Sequence, residues 1–258
     1  MKHKAFFNWS GGKDSALALH KAQQDGIAID ALVTSVNSTT DRVAMHGVRR
    51  ELLMQQAAAI GLPLYTIELS EMPGMKAYEE AVHATHQKLK DAGFTHGGFG
   101  DIFLEDLKTY REELLSKDEL QCFFPIWKMD TKKLLEQFIE EGFKAIIVCV
   151  NSAYLNESFC GRLLDNTFLN DLPATVDPCG ENGEYHSFVF DGPIFSQAIP
   201  FRKGEVVFKE YAAPIVRPCQ PELAEGKDGK AEAQGKSDDC FTTPQSSAGF
   251  YFQDLIIV

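Results

Sequence analysis

Short apolar runs alternate, over the first 150 residues, with longer segments in which apolar positions recur every three or four residues. The short runs predict buried strands, and the longer segments predict amphipathic helices. The predicted strands are residues 5–7, 31–37, 64–69, 94–99, 122–127 and 144–150. Strands that alternate with helices of this length indicate βαβ units and a parallel sheet. The expected fold class is therefore α/β, a parallel sheet flanked by helices.

The carboxyl ends of parallel strands meet at one edge of a sheet, and ligands bind there. Residues 37–41, Gly100 with Asp101, and Asn151 each follow a predicted strand. We therefore expect these segments to lie together at that edge.

The predicted helices carry residues that favour helix ends. The first begins near Asp14 and stops at Gly26, and the last begins after Asp130 and stops at Gly142. Asp commonly begins a helix and Gly commonly ends one. The others are predicted at about residues 45–60, 76–92 and 105–115.

Two histidines lie three residues apart in the helix predicted at residues 76–92. The apolar stripe of this helix includes Tyr78, Val82 and Leu89, whereas His83 and His86 fall on the opposite side. Their spacing is compatible with a metal site. A solvated helix face is the interpretation that we adopt.

The pattern changes after residue 150. Residues 156–172 predict a helix, and residues 187–190 and 205–209 predict strands of a smaller α+β part. Residues 218–247 contain almost no apolar side chains and predict a flexible insertion, after which residues 251–258 predict a terminal strand that returns to the fold. We therefore expect two domains, at residues 1–150 and 151–258.

Composition and charge narrow the class of protein. The chain has 25 Lys and Arg against 37 Asp and Glu, a net charge of −12, which argues against nucleic acid as a partner. We find no signal peptide and no apolar run of membrane-spanning length. The six cysteines form no Cys-x-x-Cys pair, so we expect reduced thiols and a cytoplasmic location.

A glycine-containing hexapeptide follows the first predicted strand and opens the first predicted helix. Its residues are Ser10, Gly11, Gly12, Lys13, Asp14 and Ser15. A helix start offers unpaired N–H groups and the positive end of the helix dipole, and glycines let the backbone approach an anion closely. The lysine adds a positive charge and the serines add hydroxyl donors. The spacing is not that of the Walker P-loop.

A second polar motif occupies residues 177–186. Two glycines and two glutamates, Gly180, Glu181, Gly183 and Glu184, lie within five residues before a predicted strand. On its own this pattern is typical of a charged β-turn. Its combination with the hexapeptide is what points to function.

The two motifs together resemble the diphthine–ammonia ligase family. Residues 10–15 match the S-G-G-x-D-S pattern of the PP-loop of N-type ATP pyrophosphatases at every fixed position. Family members share an N-terminal S-G-G-K-D-S and a later G-E-x-G-E before an aromatic residue, here Tyr185. The Pro-Ile-Trp at 125–127 is similar to the family's Pro-Leu-Trp turn. Residues 100–102 and Arg111 occupy the place of its G-x-I segment and downstream arginine.

This resemblance implies a PP-loop, HUP-like Rossmannoid fold and an ATP-dependent ligase. The β,γ-pyrophosphate of ATP would lie in the PP-loop, a substrate carboxylate would attack the α-phosphate, and ammonia or an amine would then displace AMP to form an amide. The acceptor would be a small molecule or a protein side chain, with Mg²⁺ accompanying ATP. Residues 1–150 would bind ATP and residues 151–258 the substrate, and a homodimer is left open.

The resemblance also implies roles for individual residues. Val36 is expected beside the adenine. The expected catalytic residues are Lys13, Asp14, Asp101 and Glu184. The expected substrate-binding residues are Gly100, Asp101, Arg111, Gly180, Glu181, Gly183 and Glu184. The metal ligands are unassigned.

Two features depart from the family pattern. Asp101 stands where other members more often carry a small residue, and residues 103–107 also look different. The acceptor could therefore be a molecule other than diphthine, as it would be in a bacterial member.

Two other classes of function stay open at this point. A PP-loop RNA-modifying enzyme would favour a basic surface or paired cysteines, and the sequence has neither. A nucleotide-binding regulator would keep the PP-loop but would not turn ATP over.

Overall fold

The computed structural model describes residues 3–43, 46–70, 74–212 and 247–258. Its helices are α1 (Lys13–Gln24), α2 (Arg50–Ile60), α3 (Met75–Asp91), α4 (Glu105–Lys117), α5 (Thr131–Glu140) and α6 (Asn166–Asp171). Its strands are β1 (Ala5–Asn8), β2 (Ile29–Asn37), β3 (Arg42–Val43), β4 (Leu64–Leu69), β5 (His96–Gly98), β6 (Gln121–Phe123), β7 (Lys144–Asn151), β8 (Tyr185–Asp191), β9 (Phe201–Ala212) and β10 (Ser247–Ile257).

The first sheet confirms the predicted α/β class. Its parallel strands run in the order β4-β2-β1-β5-β6, and the short strand β3, which the apolar pattern did not predict, pairs antiparallel with β2. Successive side chains of a strand point to opposite faces, so Phe6 packs with α3 and α4 while Phe7 packs with α1 and α2. Both rings are fully buried.

The second sheet is antiparallel, in the order β8-β7-β10-β9. The prediction that residues 144–150 form a strand is confirmed, but the prediction that this strand joins the parallel sheet is wrong. The continuous apolar run reports burial on both faces, and such burial does not fix the direction of the neighbouring strands. The predicted terminal strand is confirmed as β10, which lies between β7 and β9.

The helix predicted at residues 156–172 is wrong over its middle. Only a short 3₁₀ turn (Glu157–Phe159) and α6 are helical. Between them Gly161 has a φ of +77°, a left-handed conformation that interrupts a helix. The segment instead hydrogen-bonds to β7, where the Gly161 N–H donates to the carbonyl of Ile147 and the Leu164 N–H donates to the carbonyl of Ala145. The predicted insertion at 218–247 lies outside the described residues except for Ser247, which begins β10.

The prediction of a solvated face for His83 and His86 is wrong for His86. His86 is only 2% exposed, and its Nδ1 lies 2.6 Å from Oδ2 of Asp118. His83 Nδ1 contacts the other oxygen of the same carboxylate. Asp118 is itself buried at the end of α4. Its carboxylate therefore takes its hydrogen-bond partners from the histidines of α3.

We predict that replacing Asp118 with alanine destabilises the fold by about 1–3 kcal/mol, because buried His86 would lose its hydrogen-bond partner. Urea unfolding measures this change through the midpoint. Asp91, an exposed residue at the end of α3, provides the control, and Asp91→Ala should leave the midpoint nearly unchanged. Equal midpoints for the Asp118 variant and the wild type would contradict the structural role of this carboxylate.

Candidate active site

The PP-loop lies at the carboxyl end of β1 and leads directly into α1. Gly12 caps this helix and has no side chain to accept a hydrogen bond. The Lys13 N–H donates to the Ser187 hydroxyl and the Ala16 N–H to the Gly12 carbonyl, which leaves the N–H groups of Asp14 and Ser15 for a ligand. Gly11 has a φ of +79°, and a Cβ there would come within 2.7 Å of the Gln56 side chain. Ser10 and Ser15 face each other with their hydroxyl oxygens 3.1 Å apart. This arrangement is a ready site for an anion.

A buried glutamine from α2 fixes the shape of the PP-loop. Gln56 accepts a hydrogen bond from the indole of Trp9 at 2.9 Å. Its amide group donates to the carbonyls of Gly11 at 3.0 Å and Val189 at 2.6 Å. Sequence reasoning missed this residue. The only available signal was a polar side chain on the apolar stripe of a predicted helix.

Strand β8 of the second sheet docks on the same loop. The Val189 N–H donates to the carbonyl of Gly11 at 2.9 Å, and the Ser187 hydroxyl accepts from the Lys13 N–H at 3.1 Å. The two sheets therefore meet at the PP-loop.

The side chain of Lys13 is buried and paired within the protein, contrary to the expectation of a free positive charge. It is 4% exposed, and its ammonium lies 2.8 Å from the Asp14 carboxylate and donates to the carbonyl of Cys179. Burial is the largest effect on the pKa of Lys13 and lowers it, but the charge and hydrogen bond of Asp14, together with the neighbouring Tyr185 and Cys179, raise that pKa overall. Lys13 thus links the start of α1 to residues 177–186.

Glu184 also points inward, which corrects its expected position facing the acceptor. It is 1% exposed, and its carboxylate accepts from the backbone N–H groups of Asp177 at 3.0 Å and Asn182 at 2.9 Å. Gly180 and Gly183, the other members of the motif, have positive φ angles of +68° and +84°. The three residues shape the loop.

Glu181 is the member of this motif that reaches the PP-loop edge. Its carboxylate accepts a hydrogen bond from the Ile102 N–H at 3.1 Å. Burial first, and then the nearby Asp14 carboxylate, raise the pKa of Glu181 to about 7. Gly100 packs against the backbone of Asp14, where a Cβ would lie 3.0 Å from the Asp14 carbonyl. The structure thus brings Asp14, Gly100 and Glu181 together.

Buried Asp101 and half-buried Arg111 form an ion pair beside this group. The Arg111 Nε lies 2.7 Å from Asp101 Oδ2, and the guanidinium stacks on the ring of Phe99 at 4.6 Å. Arg111 also lines a cavity of about 340 Å³. The other lining residues are Met75, Tyr78, Leu107 and Tyr110.

Val36 and Asn151, which we expected at the carboxyl edge of the parallel sheet, do not offer a binding surface there. The side chain of Val36 is fully buried, because β3 pairs with β2 at Val36 and closes that position. It therefore offers no open surface for an adenine ring. Asn151 ends a strand of the other sheet, and its amide donates to the carbonyl of Gly183 at 3.3 Å. Asn151 therefore supports the second motif instead of the parallel-sheet edge.

The described residues support neither a nucleophilic cysteine nor a cluster of metal-binding side chains. Burial raises the pKa of the Cys122, Cys149 and Cys160 thiols to about 12, and that of Cys179 also rises. These thiols are therefore not poised as nucleophiles. The described ranges contain no cluster of three or more His, Cys, Asp or Glu side chains suited to a metal ion.

A parallel sheet whose first strand leads through a glycine-containing loop into a helix defines an α/β protein of the PP-loop type. Two family models match this chain: the diphthamide synthase N-terminal domain over residues 1–120 and the diphthamide synthase C-terminal domain over residues 130–214. The chain belongs to the diphthine–ammonia ligase family.

Named relatives agree with the family models. The chain is 28% identical over 219 residues to the diphthine–ammonia ligase of Danio rerio, covering 77% of this chain and 86% of that protein. It is 28% identical to the human diphthine–ammonia ligase over 220 residues, covering 77% and 82%. The Schizosaccharomyces pombe protein of the same name is 25% identical over 222 residues, and the match spans 36% of its length. Among the described residues, no helix is long and apolar enough to cross a membrane.

We predict that Lys13→Met lowers the stability of the fold by about 3–5 kcal/mol, because it leaves the Asp14 carboxylate without its partner. Chemical unfolding measures the change. Lys21→Met on the same helix removes only a partly exposed pair with Asp25 and should shift stability by less than about 1 kcal/mol. An unchanged unfolding midpoint for Lys13→Met, with a large loss of ATP affinity, would instead place the ammonium on the phosphates.

Proposed function

We propose that this chain is an ATP-dependent, amide-forming ligase that adenylates a substrate carboxylate and then transfers ammonia or an amine. The observation that carries the proposal is the glycine-framed start of α1 in the PP-loop, which Lys13 joins to the Glu181 loop through the carbonyl of Cys179, in a member of this family. The names of the relatives suggest diphthine as the acceptor. Another acceptor that carries a carboxylate would use the same chemistry.

The PP-loop is suited to the β,γ-pyrophosphate of ATP. The N–H groups of Asp14 and Ser15 at the start of α1 supply hydrogen-bond donors, and the helix dipole favours negative charge. The hydroxyls of Ser10 and Ser15 lie beside them and would turn to the phosphates from their bonds to each other and to the Gly12 carbonyl. The described residues do not fit a resident Mg²⁺ ion, so in this proposal any Mg²⁺ arrives bound to the ATP phosphates.

The reaction has two steps. A carboxylate oxygen of the acceptor bonds to the α-phosphorus, and the bond from that phosphorus to the pyrophosphate oxygen breaks. The nitrogen of ammonia then bonds to the acyl carbon, AMP leaves, and the nitrogen gives up a proton. The chain contributes chiefly by positioning the groups and by stabilising charge.

Glu181 is the residue that we assign to the nitrogen donor. Its carboxylate lies beside Asp14 and Asp101, so a cation such as ammonium would be stabilised there. A carboxylate with a pKa near neutrality can also accept a proton from that cation. The cavity beside Arg111 is the place that we assign to the body of the acceptor, since Arg111 links it to Asp101.

We predict that ATP turnover releases AMP and pyrophosphate, because the PP-loop grips the leaving pyrophosphate. The purified protein is incubated with ATP, ammonium and candidate carboxylate acceptors, diphthine among them, and the nucleotides are separated by chromatography. ADP and phosphate as the main products would overturn the proposed mechanism.

We predict that Glu181→Gln removes one ionisation from the pH dependence of turnover. The pKa of Glu181 is raised to about 7, so its ionised form accumulates as the pH rises from 6 to 8. The ratio of the wild-type to the variant rate should therefore rise over this range, and taking the ratio cancels the titration of ammonia itself. Glu119, 83% exposed, supplies the control Glu119→Gln, whose ratio should stay flat. A flat ratio for Glu181→Gln would remove Glu181 from the proton transfer.

A further inference from the structure

Two histidines that the proposed reaction does not use lie against the PP-loop. The rings of His46 and His186 are 4.6 Å apart between centroids and inclined by 34°. His186 precedes Ser187 in β8, the strand that docks on the loop. Both residues keep some exposure, and no described residue forms a hydrogen bond to Nε2 of His46.

His46 is held in one tautomer. Its Nδ1 lies 3.2 Å from the carbonyl oxygen of Ser187. A carbonyl can only accept, so Nδ1 carries the hydrogen. In the neutral ring Nε2 is then an unprotonated acceptor, and protonation would turn it into a donor.

The ring of His46 packs directly on the glycine that caps α1. A Cβ on Gly12 would lie 2.8 Å from Cε1 of His46 and 3.4 Å from the hydroxyl of Ser10. Cε1 is bonded to Nε2, so Nε2 lies within about two bond lengths of this contact. The imidazole is thus at the surface on which the pyrophosphate of the proposed reaction would bind.

The charged groups around His46 are already paired. On α1 the ammonium of Lys13 binds Asp14, and on β10 Asp254 binds Arg42 and Arg49 from the same segment as His46. On β8 the neighbour is the second imidazole, His186. Burial is the main cause that lowers the pKa of His46 to about 4; the hydrogen bond to Ser187 opposes it and the charge of nearby Lys13 adds to it, so the ring is neutral at pH 7 without a ligand. A bound anion is what would reverse this balance.

We propose that His46 is a proton-taking ligand of the pyrophosphate group: its Nε2 becomes protonated when pyrophosphate or ATP binds and donates a hydrogen bond to a phosphate oxygen. This inference rests on the proposed pyrophosphate site. In turnover the same proton would pass from Nε2 to an oxygen of the departing pyrophosphate as the bond to the α-phosphorus breaks, which restores the neutral ring.

The test is calorimetric titration of inorganic pyrophosphate at pH 6.5 in buffers that differ in ionisation enthalpy. The dependence of the observed heat on the buffer gives the number of protons taken up per pyrophosphate bound. His46→Asn keeps an N–H that can donate to Ser187 but cannot titrate. We expect the wild type to take up more protons than this variant and to bind pyrophosphate about tenfold more tightly, the loss of one charge-assisted hydrogen bond.

Two further variants sharpen the comparison. His46→Lys carries a permanent charge, so it should regain affinity without the additional proton uptake. His3→Asn is the matched control, because His3 precedes β1 and lies at the end of that strand opposite the PP-loop. It should behave as the wild type does.

The wild-type protein alone also tests the inference, should the variants fold poorly. The ring proton on Cε1 of His46 can be followed by NMR, and its titration should move to higher pH when pyrophosphate is added. Binding with equal proton uptake in the wild type and His46→Asn, or an unmoved titration, would overturn the role of His46 and leave the proposed function intact. No binding of pyrophosphate to the wild type would overturn both.

Discussion

The docking of β8 on the PP-loop is the contact on which the rest of the site depends. A loop of glycines and serines has many backbone conformations, and it binds an anion well only if its N–H groups are held in one of them. Here the hydrogen bond from Val189 to Gly11, the one from Lys13 to Ser187, and the Gln56 amide fix the loop from outside. The second sheet is therefore part of the phosphate site as well as a neighbour of it.

Buried charges maintain this contact. An unpaired carboxylate or ammonium is expensive to bury, so each needs partners within the folded protein. Lys13 meets Asp14 and the Cys179 carbonyl, and Glu184 meets the backbone N–H groups of its own loop. Apolar residues could fill the same space with comparable stability. They would not fix the position of Glu181 relative to Asp14 in the same way, because apolar contacts are not directional.

Sequence reasoning was most successful where the signal is local. The apolar runs at residues 5–7 and 64–69 and the hexapeptide at 10–15 each fix their own strand or turn, and the structure confirms those elements. The predictions from sequence were wrong where the structure depends on residues far apart in the chain. The apolar run of β7 is equally compatible with parallel and antiparallel neighbours, and a lysine in a phosphate-binding motif can turn outward or inward. The inward turn of Lys13 depends on Cys179, 166 residues away, which no local pattern reports.

The position of β10 bears on how the chain reaches this state during synthesis. The strand is inserted between β7 and β9, and its Asp254 binds Arg42 and Arg49 from the first sheet. Until residues 247–257 have left the ribosome, β7 has an open edge on one side, and β9, which among the described strands pairs with β10 alone, has no partner. Such edges pair readily with other chains. The nascent protein thus passes through a stage in which its parallel sheet and the β7–β8 pair can form but the second sheet cannot be completed, and chaperone protection would matter most during that interval.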